Sequence, residues 1–200
     1  MKEQLIRYLD KTYDPAMILL IGSYADGSND EVSDFDAMIF VEGRHKNKDD
    51  SVVEGVQLDV DIYSVDDALF ADPSLFIKAH DPVVVKDCGI APIFIERVKE
   101  YLEKTRVTDE ADKKEIKAWI DKMIFRIDKG DDDANYRLVM LLWENLWQYF
   151  LLRDMNYYGN KKAIRYLKEK DPEGYKLFHK AITKKTPKYA KNWAEYVKKC

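Results

Sequence analysis

The stretch IGSYADGSNDEVSDFDAMIFV, residues 21–41, places two carboxylates, Asp34 and Asp36, at the start of an apolar run. Side chains two positions apart on a β-strand share a face, so both carboxylates point the same way. Two ionised groups held this close repel each other unless a cation lies between them. The stretch therefore predicts a buried strand, Asp34–Val41, that begins with a cation-binding pair.

A second pair of carboxylates follows on a later predicted strand. In VQLDVDIYS, residues 56–64, Asp59 and Asp61 again share one face. On neighbouring strands, three or four of these carboxylates would converge. Such hard oxygen ligands suit Mg²⁺, and two Mg²⁺ ions close together can clamp an in-line phosphoryl displacement. We therefore predict that metal ligands come from four residues: Asp34, Asp36, Asp59 and Asp61.

The turn ahead of the first pair supplies a second element. A predicted strand at Ala16–Ile21 ends in Gly22-Ser23 and leads into a short helix. Glycine lets the backbone approach an anion closely, and the start of a helix is electropositive. The turn is therefore predicted to seat a phosphate group. The alternative is a plain turn in which Ser23 only caps the helix.

Taken together, these residues resemble the signature of the DNA polymerase beta-type nucleotidyltransferase superfamily. The signature is Gly-Ser, ten intervening residues and Asp-x-Asp between apolar positions, with a third acidic residue on a later strand. The resemblance implies an α+β fold with a mixed sheet, followed by an α-helical bundle. It also implies a nucleoside triphosphate held by Gly22 and Ser23, two Mg²⁺ ions on the carboxylates, and transfer of a nucleoside monophosphate with loss of pyrophosphate.

The third carboxylate of the signature has two candidates. The segment VQLDVDIYSVDDAL resembles the corresponding strand of kanamycin nucleotidyltransferase best when Asp59 faces the metal. Other members of the superfamily would align with Asp61. We favour Asp59, and the remaining acid is then expected to support the site, to orient the acceptor or to be solvated.

Beyond residue 91 the resemblance is one of architecture. Helices are predicted at 92–105, 109–129, 133–155, 160–169, 172–183 and 188–198. A helical bundle after the catalytic domain is similar to small-molecule nucleotidyltransferases of the kanamycin and lincosamide type. We therefore expect a catalytic domain at 1–91 and an acceptor-binding domain at 92–200. The implied reaction is AMP transfer, from ATP or another nucleoside triphosphate, to a hydroxyl of an aminoglycoside- or lincosamide-like antibiotic or similar small molecule. The same resemblance suggests a homodimer.

Two sets of residues in the predicted helical domain are candidates for the site. On helix 133–155 the polar side chains Arg137, Glu144 and Gln148 fall on one face. The resemblance makes Glu144 the general base on the acceptor hydroxyl, the alternative being a structural pair with Arg137 or a lysine. Lys161 and Lys162 would approach the triphosphate, unless they simply face solvent.

Other functions are favoured less by the sequence. One alternative is an adenylyltransferase acting on a protein or RNA partner, as antitoxin-like members do, and another is a non-catalytic nucleotide-binding module. The intact carboxylate set argues against the second. Non-specific nucleic-acid binding is not expected, because the chain has a net charge of −4 and no basic patch interleaved with aromatic residues.

Composition and charge fit a globular enzyme. The chain is 46% hydrophobic, ample for a core, and no segment looks able to span a bilayer, so we expect a cytoplasmic protein. Residues 1–100 hold 10 basic and 21 acidic residues, whereas 101–200 hold 23 and 16, which suggests two different domains. Cys88 and Cys200 are read as structural thiols. A polar loop is predicted at 42–50, and His45 within it is given no role.

Overall fold

A computed structural model of the protein describes residues 1–43 and 46–199. His45, expected to have no role, and Cys200, expected to be a structural thiol, lie outside the described residues. By packing, the chain divides into two compact units, Met1–Glu103 and a second unit that begins at Lys104. Among the described residues, no helix is long and apolar enough to cross a membrane.

The first unit is built on a mixed sheet, as predicted. Its order is β3-β5-β2-β1-β6, with β4 paired to the edge of β5. Strands β2 and β5 are parallel, and the pairs β1–β2, β1–β6 and β3–β5 are antiparallel. The bounds are β1 Met17–Leu20, β2 Phe35–Val41, β3 Lys48–Asp49, β4 Val52–Val53, β5 Val56–Ser64 and β6 Val83–Lys86.

Strand alternation gives the two faces of this sheet different partners. The odd-numbered side chains of β2, such as Phe35 and Ile39, pack with Leu5 and Leu9 of α1, Lys2–Tyr13. Met38 and Phe40 pack instead with the opposite layer. Because side chains two apart share a face, Asp36 lies on the side of Met38 and Phe40.

Short helical elements cover this second face. They are α3, Val65–Phe70, a 3₁₀ segment, Pro73–Ala79, and α4, Ala91–Thr105. Phe94 of α4 contacts Phe40 edge-on, with ring centroids 5.0 Å apart. By packing, α4 therefore belongs to the first unit, whereas the acceptor-binding domain was expected to begin at residue 92. The division into functional domains stays a prediction.

The second unit is helical, and each helix predicted there is present, but the one predicted at 133–155 ends at Leu151 because the chain turns over 152–154, where Asp154 has φ +53°. Its elements are α5 Glu110–Arg126, α6 Asp132–Leu151, α7 Asn160–Lys170, α8 Pro172–Lys184 and α9 Pro187–Lys198. The fully buried Trp193 of α9 stacks on Tyr149 of α6, with ring centroids 5.7 Å apart. Asp171, which precedes α8, accepts hydrogen bonds from the hydroxyls of Tyr149 and Tyr196, both at 2.7 Å. Stacking and hydrogen bonding thus tie α6, α8 and α9 together.

Candidate active site

The register of the two parallel strands brings Asp36 and Asp59 side by side. In the β2–β5 pairing, Asp36 is the partner of Asp59, and Met38 is the partner of Asp61. Neighbouring strands lie about 4.8 Å apart, and paired residues project from the same face. Asp59 is therefore the acid of β5 directly beside Asp36, and Asp61 lies two residues further along the sheet.

The Gly-Ser turn lies directly against Asp36. Gly22 has φ +62°, a left-handed conformation that side chains rarely adopt, and a Cβ at this position would be 2.5 Å from Asp36 Oδ2. The backbone N–H of Ile21 donates to the carbonyl of Asp36 over 3.1 Å. Glycine is required here because the turn and the carboxylate occupy adjoining space.

The short helix α2, Gly22–Asp26, begins at this turn and is anchored to the sheet. Tyr24 is buried and contacts Phe35 edge-on, with ring centroids 5.0 Å apart. The Lys2 ammonium donates to the carbonyl of Tyr24 over 2.9 Å. These contacts hold Ser23, which is half-buried, at the start of a helix that is anchored to the sheet.

Asp34 lies just outside the strand. It is exposed and immediately precedes β2, after a loop in which Asp30 accepts hydrogen bonds from the backbone of Val32 and the hydroxyl of Ser33. Asp34 is thus the exposed residue that leads into the strand, two positions before Asp36.

Two lysines that sequence reasoning missed pair with the acids of β5. Lys48 Nζ lies 2.7 Å from Asp59 Oδ1, and Lys78 Nζ lies 3.0 Å from Asp61 Oδ2 and 3.9 Å from Asp59 Oδ2. Lys48 falls in the segment 42–50, which the sequence indicated was only a polar loop. That expectation is wrong for β3, whose two residues are ordered by pairing with β5.

These ion pairs shift the titration of the groups involved. The close contact with the Lys48 ammonium is the main reason that the pKa of Asp59 lies below its usual value. The same contact raises the pKa of Lys48. Burial on its own would lower the pKa of Lys78, but its hydrogen bond to Asp61 and the charges of Asp61 and Asp59 raise it. All three groups are therefore charged near neutral pH.

The position of Lys48 is set by its neighbour, Asp49, on the opposite face of β3. Asp49 is fully buried and accepts hydrogen bonds from the hydroxyls of Tyr13 and Tyr8 in α1, at 2.5 and 3.2 Å. The backbone of Ser51 donates to it over 3.1 Å, and Lys46 Nζ lies 3.2 Å away. Burial raises the pKa of Asp49, but these partners outweigh it and lower the pKa to about 2. Asp49 thus pins β3 to α1 and presents Lys48 to the carboxylate face.

As they stand, the carboxylates are not closed around a cation. In the ranges 1–43 and 46–199, no three His, Cys, Asp or Glu side chains are grouped so as to hold a metal ion. Asp59 and Asp61 are engaged by lysines, and Asp34 lies in solvent. The donor types and the strand register suit Mg²⁺, but the two ion pairs must open before the acids of β5 can become ligands.

The candidates in the second unit have local partners. Glu144 is half-buried and accepts a hydrogen bond of 2.5 Å from the indole N–H of Trp147. Arg137, the structural partner that the sequence offered for Glu144, pairs with Asp133 at 2.7 Å. Lys161 is exposed and Lys162 half-buried, both in the first turn of α7. Their roles at the site, like that of Glu144, stay predictions.

A mixed sheet with an Asp-x-Asp strand under a Gly-Ser turn defines a nucleotidyltransferase-type domain. The family model for the nucleotidyltransferase domain matches residues 2–131, which include the turn and all four acids. The chain therefore belongs to this family, and the resemblance seen in residues 21–41 is confirmed at the level of the superfamily. No curated protein shows a significant match to the chain.

Proposed function

We propose that the protein is an Mg²⁺-dependent nucleotidyltransferase that moves a nucleoside monophosphate, with AMP from ATP as the first candidate, to a hydroxyl of a small molecule. Membership of the nucleotidyltransferase family supports transfer of a nucleoside monophosphate. The observation that carries the assignment to this site is the pairing of Asp36 with Asp59 beside Gly22.

In this proposal the metal ligands are Asp34, Asp36 and Asp59. Asp36 and Asp59 are register partners on one face, and Asp34 is the acid two residues before Asp36. Bound Mg²⁺ would neutralise the charge that develops on the phosphorus and the leaving group. Asp61 is paired with Met38 and held by Lys78, which favours a supporting role for it.

Gly22 and Ser23 are proposed to hold the phosphates. Gly22 brings the backbone against Asp36, so a phosphate at the turn would also adjoin the carboxylates. The anchored α2 helix keeps this backbone from shifting when the phosphate binds. Most of the rate enhancement then comes from positioning the acceptor oxygen in line with the leaving pyrophosphate.

The acceptor is proposed to be a small hydroxylated molecule, of the aminoglycoside or lincosamide class, bound with help from the helical unit. The support is that a helical unit follows the unit with the paired acids along the chain, and that Glu144 on α6 is half-buried. Glu144 is the proposed general base. Lys161 and Lys162 are proposed as phosphate contacts.

The test is a pyrophosphate-release assay with each of the four nucleoside triphosphates, Mg²⁺ and a panel of aminoglycosides, lincosamides and simple polyols. Asp36→Asn serves as the inactive variant. Asp66→Asn is the matched control, because Asp66 is an exposed acid of the same unit in the first turn of α3.

We expect release that needs Mg²⁺ and one acceptor class, is lost in Asp36→Asn and is retained in Asp66→Asn. Equal pyrophosphate release by the two variants would contradict the assignment of the active site to Asp36. If no acceptor in the panel gives pyrophosphate release, but the wild type binds nucleotide and Asp36→Asn does not, the acceptor is instead a protein or an RNA.

A further inference from the structure

The carboxylate face carries its own counter-ions. Lys48 comes from the edge strand β3 and Lys78 from the 3₁₀ segment, so two separate elements deliver ammonium groups to the acids of β5. Lys48 Nζ lies 2.7 Å from Asp59 and Lys78 Nζ lies 3.0 Å from Asp61. Without them, three acids on adjacent positions of one face would repel each other.

Both lysines are able to leave. Each side chain is 51% exposed, so its four-carbon stem has room to swing into solvent. Asp59 and Asp61 are less exposed, at 32% and 18%, and are fixed in a central part of the sheet. The cations are therefore the mobile partners of these pairs and the carboxylates the fixed ones.

A divalent cation and an ammonium compete for the same oxygens. A Mg²⁺ ion bound to Asp59 would repel the ammonium of Lys48, and also that of Lys78, which lies 3.9 Å from the same carboxylate, because all of these charges are positive. The triphosphate that accompanies the metal brings a compensating negative charge to the same place. An ammonium displaced from Asp59 has that phosphate chain as its nearest new partner.

From these contacts we propose that Lys48 and Lys78 are exchangeable counter-ions. They hold Asp59 and Asp61 in the nucleotide-free protein, and they would move from these acids to the phosphates when metal and nucleoside triphosphate bind. The proposal rests on the proposed function, since it needs metal and triphosphate at this face. It assigns the triphosphate two contacts in the first unit besides Gly22 and Ser23.

The chain offers a matched control for an ordinary surface ion pair. Lys86 of β6 lies 2.7 Å from Asp10, on the strand at the opposite end of the sheet from β3. Its N–O distance equals that of the Lys48–Asp59 pair, but its partners are Asp10 in α1 and Asp14, which ends α1. Lys86→Gln removes the same charge from the same unit without touching the carboxylate face.

The experiment compares the wild type with Lys48→Gln, Lys78→Gln and Lys86→Gln in the full chain. Binding of Mn²⁺ alone is followed by electron paramagnetic resonance, and binding of inorganic tripolyphosphate with Mg²⁺ by calorimetry. Removing a competing cation should tighten Mn²⁺ binding in Lys48→Gln, and removing a phosphate contact should weaken tripolyphosphate binding about tenfold. Lys78→Gln should shift both affinities in the same directions. Lys86→Gln should match the wild type.

Asp36→Asn separates failure of this proposal from failure of the proposed function. If Asp36→Asn loses Mn²⁺ binding while Lys48→Gln and Lys78→Gln behave like Lys86→Gln, the lysines are static ion pairs and the counter-ion proposal is overturned alone. If the wild type binds neither probe, the proposed function is overturned and the counter-ion proposal with it. Opposite shifts for the two probes in Lys48→Gln and Lys78→Gln support the exchange.

Discussion

Replacement of Gly22 by alanine tests the contact between the Gly-Ser turn and the carboxylates. Alanine would adopt a left-handed φ of +62° and place its Cβ 2.5 Å from Asp36 Oδ2, a distance that real Cβ contacts do not show. The backbone, the carboxylate or both must move. We therefore expect Gly22→Ala to be less stable than the wild type and, separately, to hold the Asp36 carboxylate in a different position.

Gly27 provides the matched control. It has φ +75°, ends the same α2 helix, and has nothing within 4 Å of an added Cβ. The left-handed conformation alone costs an L-residue about 1–2 kcal/mol, so Gly27→Ala should lower the free energy of unfolding by this amount. Gly22→Ala should lower the free energy of unfolding by at least this amount. Because Asp36 is displaced, it should also lower Mn²⁺ affinity and the rate of nucleotidyl transfer at least tenfold.

Urea unfolding gives the stability of both variants, and paramagnetic resonance of Mn²⁺ gives the metal affinity. Gly27→Ala should be destabilised but bind Mn²⁺ like the wild type, whereas Gly22→Ala should be impaired in both stability and Mn²⁺ binding. If the two variants bound Mn²⁺ and transferred nucleotide equally well, the turn would not be in contact with the functional carboxylate.

Three further predictions concern individual acids. Asp49 has a pKa of about 2 against a usual value near 4, so it should add roughly 2 kcal/mol to the free energy of unfolding above pH 4, and this contribution should be lost as the pH falls toward 2. Urea titrations of Asp49→Asn should lack this acid-side dependence of stability. A pH profile unchanged from the wild type would contradict the buried network. Asp59→Asn should abolish pyrophosphate release while Asp61→Asn keeps a measurable fraction, and the reverse order would make Asp61 the third ligand. Glu144→Gln can still accept the hydrogen bond from Trp147, so its unfolding free energy should stay near that of the wild type while kcat falls about a hundredfold or more; an unchanged kcat would remove Glu144 as the base.

The sequence was a good guide wherever a local pattern decides the structure. The turn at Gly22-Ser23 and the strand Asp34–Val41 follow from glycine, apolar alternation and charge spacing, and the structure has both within a residue. The helices of the second unit follow from apolar periodicity and from caps such as Asp109 and Asp131.

The sequence had no means of choosing between Asp59 and Asp61. A one-residue slip between β2 and β5 would turn the acids to the other face, but a two-residue slip leaves both on the correct face. Only the register distinguishes the two acids, and it is fixed by contacts between strands that are far apart in the chain.

Lys48 and Lys78 were missed for a similar reason. Strand β3 has two residues and exists because it pairs with β5, while Lys78 lies in a 3₁₀ segment without a repeating pattern. Neither lysine stands near Asp59 in sequence. The interaction is created by the fold and is visible only once the strands are assembled.

The most direct test of nucleotidyl transfer at Asp36 and Asp59 follows the label of a nucleoside triphosphate carrying ³²P at either the α or the γ position. With an acceptor and Mg²⁺, the α-label should move to the acceptor and the γ-label should leave in pyrophosphate, and Asp36→Asn and Asp59→Asn should do neither. Transfer of γ-label to the acceptor, or α-label transfer that survives in both variants, would contradict nucleotidyl transfer at these two acids.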